Sequence, residues 1–170
     1  KDPKNTIGLL VDEWGTWWDE EPGTIPGHLF QQNALRDAFV AALSLNVFHK
    51  YTDRVKMANI AQIVNVLQSM ILTDQEGTGH MVLTPTYHVF EMYTPFQEAT
   101  FLPLDLESET VQCSKEYFKE KAKTADNSTR PCPLLSGSAA KTTDGSIVMA
   151  LTNVSLDKDQ TIDVNINGYK

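Results

Sequence analysis

The chain has 170 residues, of which 41% are hydrophobic and 21% charged, a composition that is ordinary for a soluble globular protein. Acidic residues outnumber basic ones by 22 to 14, and the formal net charge of -8 argues against nucleic acid as a partner. No apolar run approaches the ~20 residues needed to span a bilayer, and the length allows one domain with a sizeable core or two partial ones.

The first 50 residues predict a strand, a loop and a helix. Ile7–Val11 is a continuous apolar run, typical of a strand buried on both faces of a parallel sheet, and it ends in Asp12 and Glu13. Residues 14–27 indicate a loop, because they hold three tryptophans, a solvated acidic run at 19–21 and two Pro-Gly pairs. From about Leu29 to His49, spacings of three and four predict a helix, with Arg36 and Asp37 off an apolar face formed by Leu35, Phe39, Ala42, Leu43 and Val47.

A second unit of the same kind follows. Residues 55–61 read as a strand, and residues 62–66 continue from its carboxyl end. Thr84 suits an N-cap and Pro85 a first helical position, so we expect a helix that ends near Tyr93, with Tyr87, Phe90 and Tyr93 packing in the core. Strand, helix, strand, helix is typical of a βα repeat with parallel strands, of which a closed barrel needs eight.

After Thr100 the pattern changes to short alternating segments. Residues 101–106 and 161–167 alternate apolar and polar side chains, and between them an Asp-Gly turn precedes a further strand candidate at 146–152. Residues 114–130 are charged and polar, which indicates a loop. Short strands joined by such turns indicate an antiparallel β-sandwich, with a boundary between the two patterns near residues 96–100.

The residues that suggest chemistry are the acids at the end of the first strand. In α/β barrels the active site lies at the carboxyl ends of the strands, and a carboxylate there can attack an anomeric carbon. Trp14, Trp17 and Trp18 offer aromatic faces for sugar rings. The alternative interpretation is that Glu13 only caps a turn beside core tryptophans.

The stretch Val11–Trp17 resembles the nucleophile strand of the α-L-arabinofuranosidases of glycoside hydrolase family 51. The resemblance covers roughly residues 6–106 and includes four further motifs in order, at residues 33–38, 51–58, 61–66 and 84–90. It implies a fold made of the last two βα units of a (β/α)8 TIM barrel, followed by part of an antiparallel β-sandwich. On this basis we expect residues 1–98 to belong to the barrel and residues 99–170 to the sandwich.

The resemblance also implies roles for single residues. Glu13 matches the nucleophile, Gln62 a polar residue of the arabinofuranose subsite, and Trp17 an aromatic residue at its rim. Asp12 is expected to be structural. Gly15 stands where the family usually has Asn, which leaves any side-chain contact from that position in question.

The implied reaction is hydrolysis of terminal α-L-arabinofuranosyl groups in arabinan or arabinoxylan with retention, through a glycosyl-enzyme intermediate. The resemblance implies no metal or other cofactor. The family's acid/base lies in an Asn-Glu motif on an earlier strand, and this chain contains no Asn-Glu pair. We therefore expect the chain to be a piece of a longer enzyme, inactive alone, whose partners are the enzyme's remaining segments and an arabinose-containing saccharide.

Other questions stay open at this stage. A non-catalytic carbohydrate-binding or structural fragment is the main alternative, and another barrel glycosidase such as an endoglucanase is a third. Cys113 and Cys132 are either a disulfide or two free thiols, and His28 either lines the pocket or lies on a surface loop. His49 is expected to pack or to serve the helix end. Oligomers are common in the family, but the sequence shows no interface, and cytoplasmic, periplasmic and secreted locations all remain open.

Overall fold

A computed structural model describes residues 2–4, 6–74, 76–114 and 129–168. Within these residues there are two α-helices, α1 (Leu35–Lys50) and α2 (Pro85–Tyr93), and a short 3-10 helix, Thr94–Phe96, follows α2. The nine strands of the same residues are β1 (Leu9–Trp14), β2 (Val55–Ile60), β3 (Ile71–Thr73), β4 (Met81–Leu83), β5 (Thr100–Leu102), β6 (Thr110–Ser114), β7 (Thr129–Pro133), β8 (Leu135–Lys141) and β9 (Ile147–Asn153).

The chain divides into two compact units. The first comprises the residues up to 105 together with 137–152, and the second comprises 106–136 and the residues from 153 onward. Both helices, the β1–β2 pair and the β3–β4 hairpin lie in the first unit. The division at residue 98 that the sequence suggests stays a prediction.

Strands β1 and β2 pair in parallel, as the sequence predicts, with Trp14 opposite Ile60. The first strand begins later than predicted and continues through Glu13, so this acid lies inside the strand. The predicted burial on both faces is wrong for these residues, because Leu9 and Leu10 are 50% and 56% exposed. β1 pairs with one strand only among the described residues, and a two-stranded sheet covers few of its own side chains.

Helix α1 begins at Leu35 and not near Leu29, as its pattern suggested. Leu29 has a φ of +55°, which is incompatible with a right-handed helix. The Asp37 carboxylate accepts a hydrogen bond from the Ala34 backbone N–H at 2.8 Å. This bond satisfies a donor that no helical carbonyl can reach, and it fixes the start of the helix.

The buried face of α1 is also different from the predicted one. Leu35 and Val47 are 64% and 52% exposed, and Asp37, expected off the apolar face, is 1% exposed. The observed buried residues are Asp37, Ala38, Ala41, Ala42 and Asn46. Small alanines allow α2 to approach closely, so packing volume and not hydrophobicity decides which face turns inward.

Helix α2 confirms its sequence signals. Thr84 is the N-cap, its hydroxyl oxygen accepts a hydrogen bond from the Tyr87 N–H at 3.3 Å, and Pro85 occupies the first helical position. Phe90 and Tyr93 pack against the core as expected, whereas Tyr87 is half-buried beside His88. The core cluster consists of Ala38, Ala41, Ala42 and Val89, with Trp14, Leu45, Phe90 and Tyr93 against it.

A group of hydrogen-bonded polar side chains lies next to the core. The His49 Nδ1 lies 2.9 Å from the Ser138 hydroxyl, which donates to the Asn46 Oδ1 at 2.9 Å. The Tyr93 hydroxyl donates to the same Asn46 oxygen at 2.8 Å, and the His49 ring stacks on Phe96 with 4.7 Å between centroids. Burial lowers the pKa of His49. The expectation that His49 packs at the end of its helix is confirmed.

The residues after Thr100 form antiparallel strands, as predicted, but with different bounds. β5, β8 and β9 make a three-stranded sheet in which Phe101 lies opposite Ala140, and β6 pairs with β7. The turn before β9 is held by the Asp144 carboxylate, which accepts from the Ser146 N–H at 2.9 Å. Of the predicted loop at 114–130, residues 115–128 lie outside the described residues, while Ser114 and residues 129–130 belong to strands.

The strand predicted at residues 161–167 is wrong, because these residues have no regular secondary structure. Val164 and Ile166, which were to face one way, are both about half exposed. An alternating pattern suits a strand, but a strand also needs a neighbour for its backbone hydrogen bonds. Within the described chain no strand pairs with this segment.

Cys113 and Cys132 are free thiols on the paired strands β6 and β7. They lie diagonally across the ribbon, since Cys113 is opposite Arg130 and Val111 is opposite Cys132. A hydrogen bond with the Cys132 side chain raises the pKa of the Cys113 thiol. Of the two alternatives, this structure contains the thiols.

Candidate active site at the carboxyl ends of β1 and β2

Glu13 lies where two parallel strands end together. The Ala61 N–H donates to the Trp14 carbonyl at 3.0 Å, so the residues that follow β1 and β2 leave the sheet at the same edge. The register of β1 is irregular between Val11 and Trp14, and Glu13 falls inside this irregularity. Its side chain is exposed and does not point into packed apolar core. Bulges of this kind are frequent beside active sites, where they redirect a side chain.

The three tryptophans have three different environments. The Trp14 ring packs in the core, 5.3 Å from Phe48 and 6.1 Å from Phe90 between centroids. Trp18 is half-buried, and the Arg36 guanidinium lies 4.2 Å from its ring centroid. Trp17 is 66% exposed. Among the three, only the residue predicted for the rim of a sugar subsite presents its ring to solvent.

A buried carboxylate holds the loop that follows Glu13. The Asp37 Oδ1 accepts hydrogen bonds from the Thr16 hydroxyl at 2.7 Å and from the Trp18 indole N–H at 2.9 Å. Its second oxygen accepts from the Ala34 N–H at the start of α1. Asp37 therefore ties this loop to the helix on which it sits.

Two buried glutamines complete the attachment of the loop. The Gln68 Oε1 accepts a hydrogen bond from the Thr16 backbone N–H, and the Gln31 Oε1 accepts from the Trp18 N–H at 2.9 Å. Gln31, Gln68 and Asp37 are each 1% exposed. Polar groups this deeply buried cost free energy unless they are paired, so they define one position for residues 16–18.

Gly15 is required by both its backbone and its surroundings. Its φ is +146°, and a Cβ at this position would lie 2.2 Å from the Gln68 Nε2. The Gln68 side chain thus occupies the space that a side chain at position 15 would need. At position 15, directly after Trp14, the glycine therefore allows close packing of Gln68 and offers no side chain for a contact.

Gln62 lies just beyond β2, after a cis peptide bond between Ala61 and Gln62, and its side chain is exposed. It lines a cleft of about 670 Å³ between the loop after β1 and the loop after β2. The complete lining is Thr24, Ile25, Gly27, His28, Leu29, Phe30, Gln62, Asn65, Val66 and Thr73. Glu13 and Trp17 are not part of that lining.

The acidic run at 19–21 does more than form the expected solvated loop. The Glu20 carboxylate accepts hydrogen bonds from the N–H groups of Gly27 and Leu29 at 2.9 and 2.8 Å. The Glu21 carboxylate accepts from the Gln32 N–H at 3.0 Å. Both side chains are half-buried, and they close the loop that forms one wall of the cleft.

The structure thus brings Gln62 and His28 into one cleft, and it places Glu13 at the same strand edge as Gln62. Sequence reasoning missed Asp37, Gln31 and Gln68, whose side chains accept hydrogen bonds from the loop after Glu13. The sequence did contain one signal for Asp37. It is the third residue of α1, and an acid at the third position of a helix is typical of a helix start. Within the described residues, no three His, Cys, Asp or Glu side chains group as a metal site, and no helix is long and apolar enough to cross a membrane.

Comparison with known proteins gives consistent matches. The family described as the C-terminal domain of α-L-arabinofuranosidases matches residues 12–170. An intracellular exo-α-L-arabinofuranosidase of Bacteroides ovatus is 59% identical over 169 residues, which are 99% of this chain and 30% of that protein. A probable α-L-arabinofuranosidase C of Aspergillus clavatus is 29% identical and covers 89% of this chain and 28% of its own length.

Solved structures agree with the sequence matches. The family 51 arabinofuranosidase of Xanthomonas axonopodis pv. citri superposes with a TM-score of 0.75 at 49% identity, covering 90% of this chain and 28% of that one. The thermostable family 51 enzyme of Thermotoga petrophila superposes with a TM-score of 0.61 at 25% identity, covering 86% and 28%.

The matches assign the chain to a domain family of glycoside hydrolases. More particularly, the chain belongs to the α-L-arabinofuranosidases of glycoside hydrolase family 51 and matches their C-terminal domain. It spans about 30% of the length of the Bacteroides relative.

Proposed function

We propose that this chain supplies the nucleophile, Glu13, of a retaining exo-acting α-L-arabinofuranosidase. The observation that carries the proposal is the exposed Glu13 carboxylate at the edge where β1 and β2 end together, beside the residues that lead to Gln62. A carboxylate on a fixed strand end can be held in the geometry that attack on an anomeric carbon requires.

The neighbouring residues support the same role. Trp17 presents an exposed ring, and Gln62 an exposed amide, at loops that follow the two strands. Because residues 16–18 are anchored by Asp37 and Gln68, the loop after Glu13 is held before any sugar arrives. Such preorganisation lowers the entropy that must be lost in the transition state.

The second carboxylate must come from elsewhere in the protein. Retention requires an acid/base group about 5–5.5 Å from the nucleophile, and no Asn-Glu pair occurs in the chain. We propose that residues 1–98 complete a (β/α)8 barrel with preceding segments, and that residues 99–170 contribute to a β-sandwich. The parallel β1–β2 pair and the antiparallel β5–β8–β9 sheet support this assignment.

The proposed substrate is the terminal α-L-arabinofuranosyl group of arabinan-type or arabinoxylan-type saccharides. The relatives named as exo-acting arabinofuranosidases support it. A non-catalytic carbohydrate-binding fragment is the competing function, but nothing in a binding role requires the carboxylate of Glu13.

The test is to replace Glu13 by Ala in the full-length protein that carries this chain. Hydrolysis of an aryl α-L-arabinofuranoside should fall by about three orders of magnitude or more, since the covalent step is lost. Asp12→Asn, the adjacent carboxylate, is the matched control and should stay within roughly tenfold of wild type.

A small anion such as azide should restore turnover of the Glu13→Ala variant by attacking the anomeric carbon itself, giving a glycosyl azide of inverted configuration. Near wild-type hydrolysis by Glu13→Ala would refute the proposal. So would hydrolysis of the aryl substrate by the isolated 170-residue chain, because that chain is proposed to lack the acid/base.

A further inference from the structure

We propose that Cys113 and Cys132 form a redox-modification site, at which a small-molecule disulfide such as oxidised glutathione converts the two free thiols into a reversible intrachain disulfide. Both cysteines lie on the paired strands β6 and β7, and both are half-buried, so part of each side chain stays in contact with solvent. Neither cysteine has a role in the proposed function, so this inference does not depend on it.

The strand register places the two thiols on the same face of the β6–β7 ribbon. Cys113 lies opposite Arg130, and Cys132 is two residues further along β7. Side chains two residues apart in a strand point to the same side of the ribbon, so the two cysteines are diagonal neighbours. Their side chains already interact, because a hydrogen bond with Cys132 is the main cause that raises the pKa of the Cys113 thiol.

The diagonal relation makes the disulfide strained and therefore easy to reduce. The Cβ atoms of diagonal neighbours lie ~7–8 Å apart or somewhat less, whereas a relaxed disulfide needs ~3.5–4.5 Å, so the ribbon must twist further to close the bond. Within the described residues β6 and β7 pair only with each other, and Pro131 and Pro133 have no N–H to donate to a third strand. A two-stranded ribbon can make this adjustment, and strained disulfides are the labile ones.

The exchange requires only the two thiols and the oxidant. One cysteine thiolate attacks a sulfur of oxidised glutathione, which forms a mixed disulfide and releases one glutathione thiolate. The second cysteine thiolate attacks the protein sulfur of that mixed disulfide and releases the other glutathione. Each cysteine loses its proton and each released glutathione gains one, so the protein gives up two electrons and the oxidant becomes two thiols. The Arg130 charge favours the Cys113 thiolate and so acts against the effect of the hydrogen bond.

The experiment incubates the full-length protein that carries this chain with oxidised glutathione and digests it without reduction. Mass spectrometry should find the peptides of Cys113 and Cys132 joined to each other. Reduced glutathione alone should then restore both thiols, a treatment that relaxed structural disulfides resist. Because the second attack is intramolecular, the wild type should hold on the order of tenfold less mixed disulfide at these cysteines than either single-serine variant.

Cys113→Ser and Cys132→Ser are the matched controls, since each replaces one sulfur by oxygen and leaves the other cysteine in place. In each variant the remaining cysteine should keep one bound glutathione. Glutathione on the wild-type cysteines without a Cys113–Cys132 link would overturn the inference, and so would a link from either of them to a different cysteine. Complete labelling of both thiols by iodoacetamide after the oxidant would also overturn it, because neither thiol would then have exchanged. Joined peptides that resist reduced glutathione would refute the reversible disulfide.

Discussion

Replacing Asp37 by Ala tests whether the buried polar network determines the position of the loop after Glu13. The substitution removes the acceptor for the Thr16 hydroxyl and the Trp18 indole N–H, and also the acceptor for the Ala34 N–H at the start of α1. Asp37 is 1% exposed, so bulk water does not reach these donors without local rearrangement.

The expected cost follows from these contacts. Loss of the bond at the helix start contributes about 1 kcal/mol. The Thr16 hydroxyl can still donate to the Gln68 Oε1, 3.0 Å away, so it keeps a partner, whereas the half-buried Trp18 indole N–H loses its acceptor and adds about 1 kcal/mol. We therefore expect Asp37→Ala to lower the free energy of unfolding by about 2 kcal/mol, a substantial part of the ~5–15 kcal/mol of a typical domain. Asp37→Asn, which keeps one carbonyl acceptor, should lose about half as much.

Urea unfolding of the full-length protein, followed by tryptophan fluorescence, measures the change through the midpoint concentration. Asp53→Ala is the control, because Asp53 is an exposed carboxylate in the turn after α1 and should change stability by no more than about 0.5 kcal/mol. If Asp37→Ala is no more destabilising than this control, the network does not hold the loop, and the argument for a preorganised site fails.

Two further predictions concern Gly15 and His49. Gly15→Ala should lower the free energy of unfolding by about 1–3 kcal/mol, because the added Cβ meets Gln68 and the φ of +146° is unfavourable for alanine. Gly23→Ala is the control: Gly23 also has a positive φ but lies in open space, so this variant measures the backbone contribution alone. Burial lowers the pKa of His49, so the unfolded state binds more protons in the pH window below the ordinary histidine value. Stability should therefore fall as the pH drops through that window and level off below the folded-state pKa. The thermal unfolding of His49→Gln should lack this pH-dependent loss of stability. Identical pH profiles for the two proteins would show that His49 is not its source.

Local signals allowed several elements to be predicted correctly. Thr84 and Pro85 mark the start of α2 through steric and hydrogen-bonding preferences that act within one turn. The apolar runs of β1 and β2 indicated parallel strands, which the register confirms. The strand predicted at 161–167 failed because alternation describes a single segment, whereas a strand exists only together with a partner.

The candidate site divides in the same way. Glu13, Trp17 and Gln62 follow from motifs that are contiguous in the sequence, and their roles stay predictions until the variants are measured. Asp37 was placed on the wrong side of α1, because a periodicity argument assigns charged residues to solvent. Its burial depends on donors from Thr16 and Trp18, about twenty positions away in the chain.

The sequence by itself determined the family, the parallel βα pattern and an acid near the carboxyl end of the first strand, since each is encoded in neighbouring residues. Only the tertiary structure decided which face of α1 is buried, how the loop after Glu13 is held and where the cleft beside Gln62 lies. The physical reason is that these features depend on contacts such as Thr16 with Gln68, 52 positions apart, whose formation depends on packing and not on local preference.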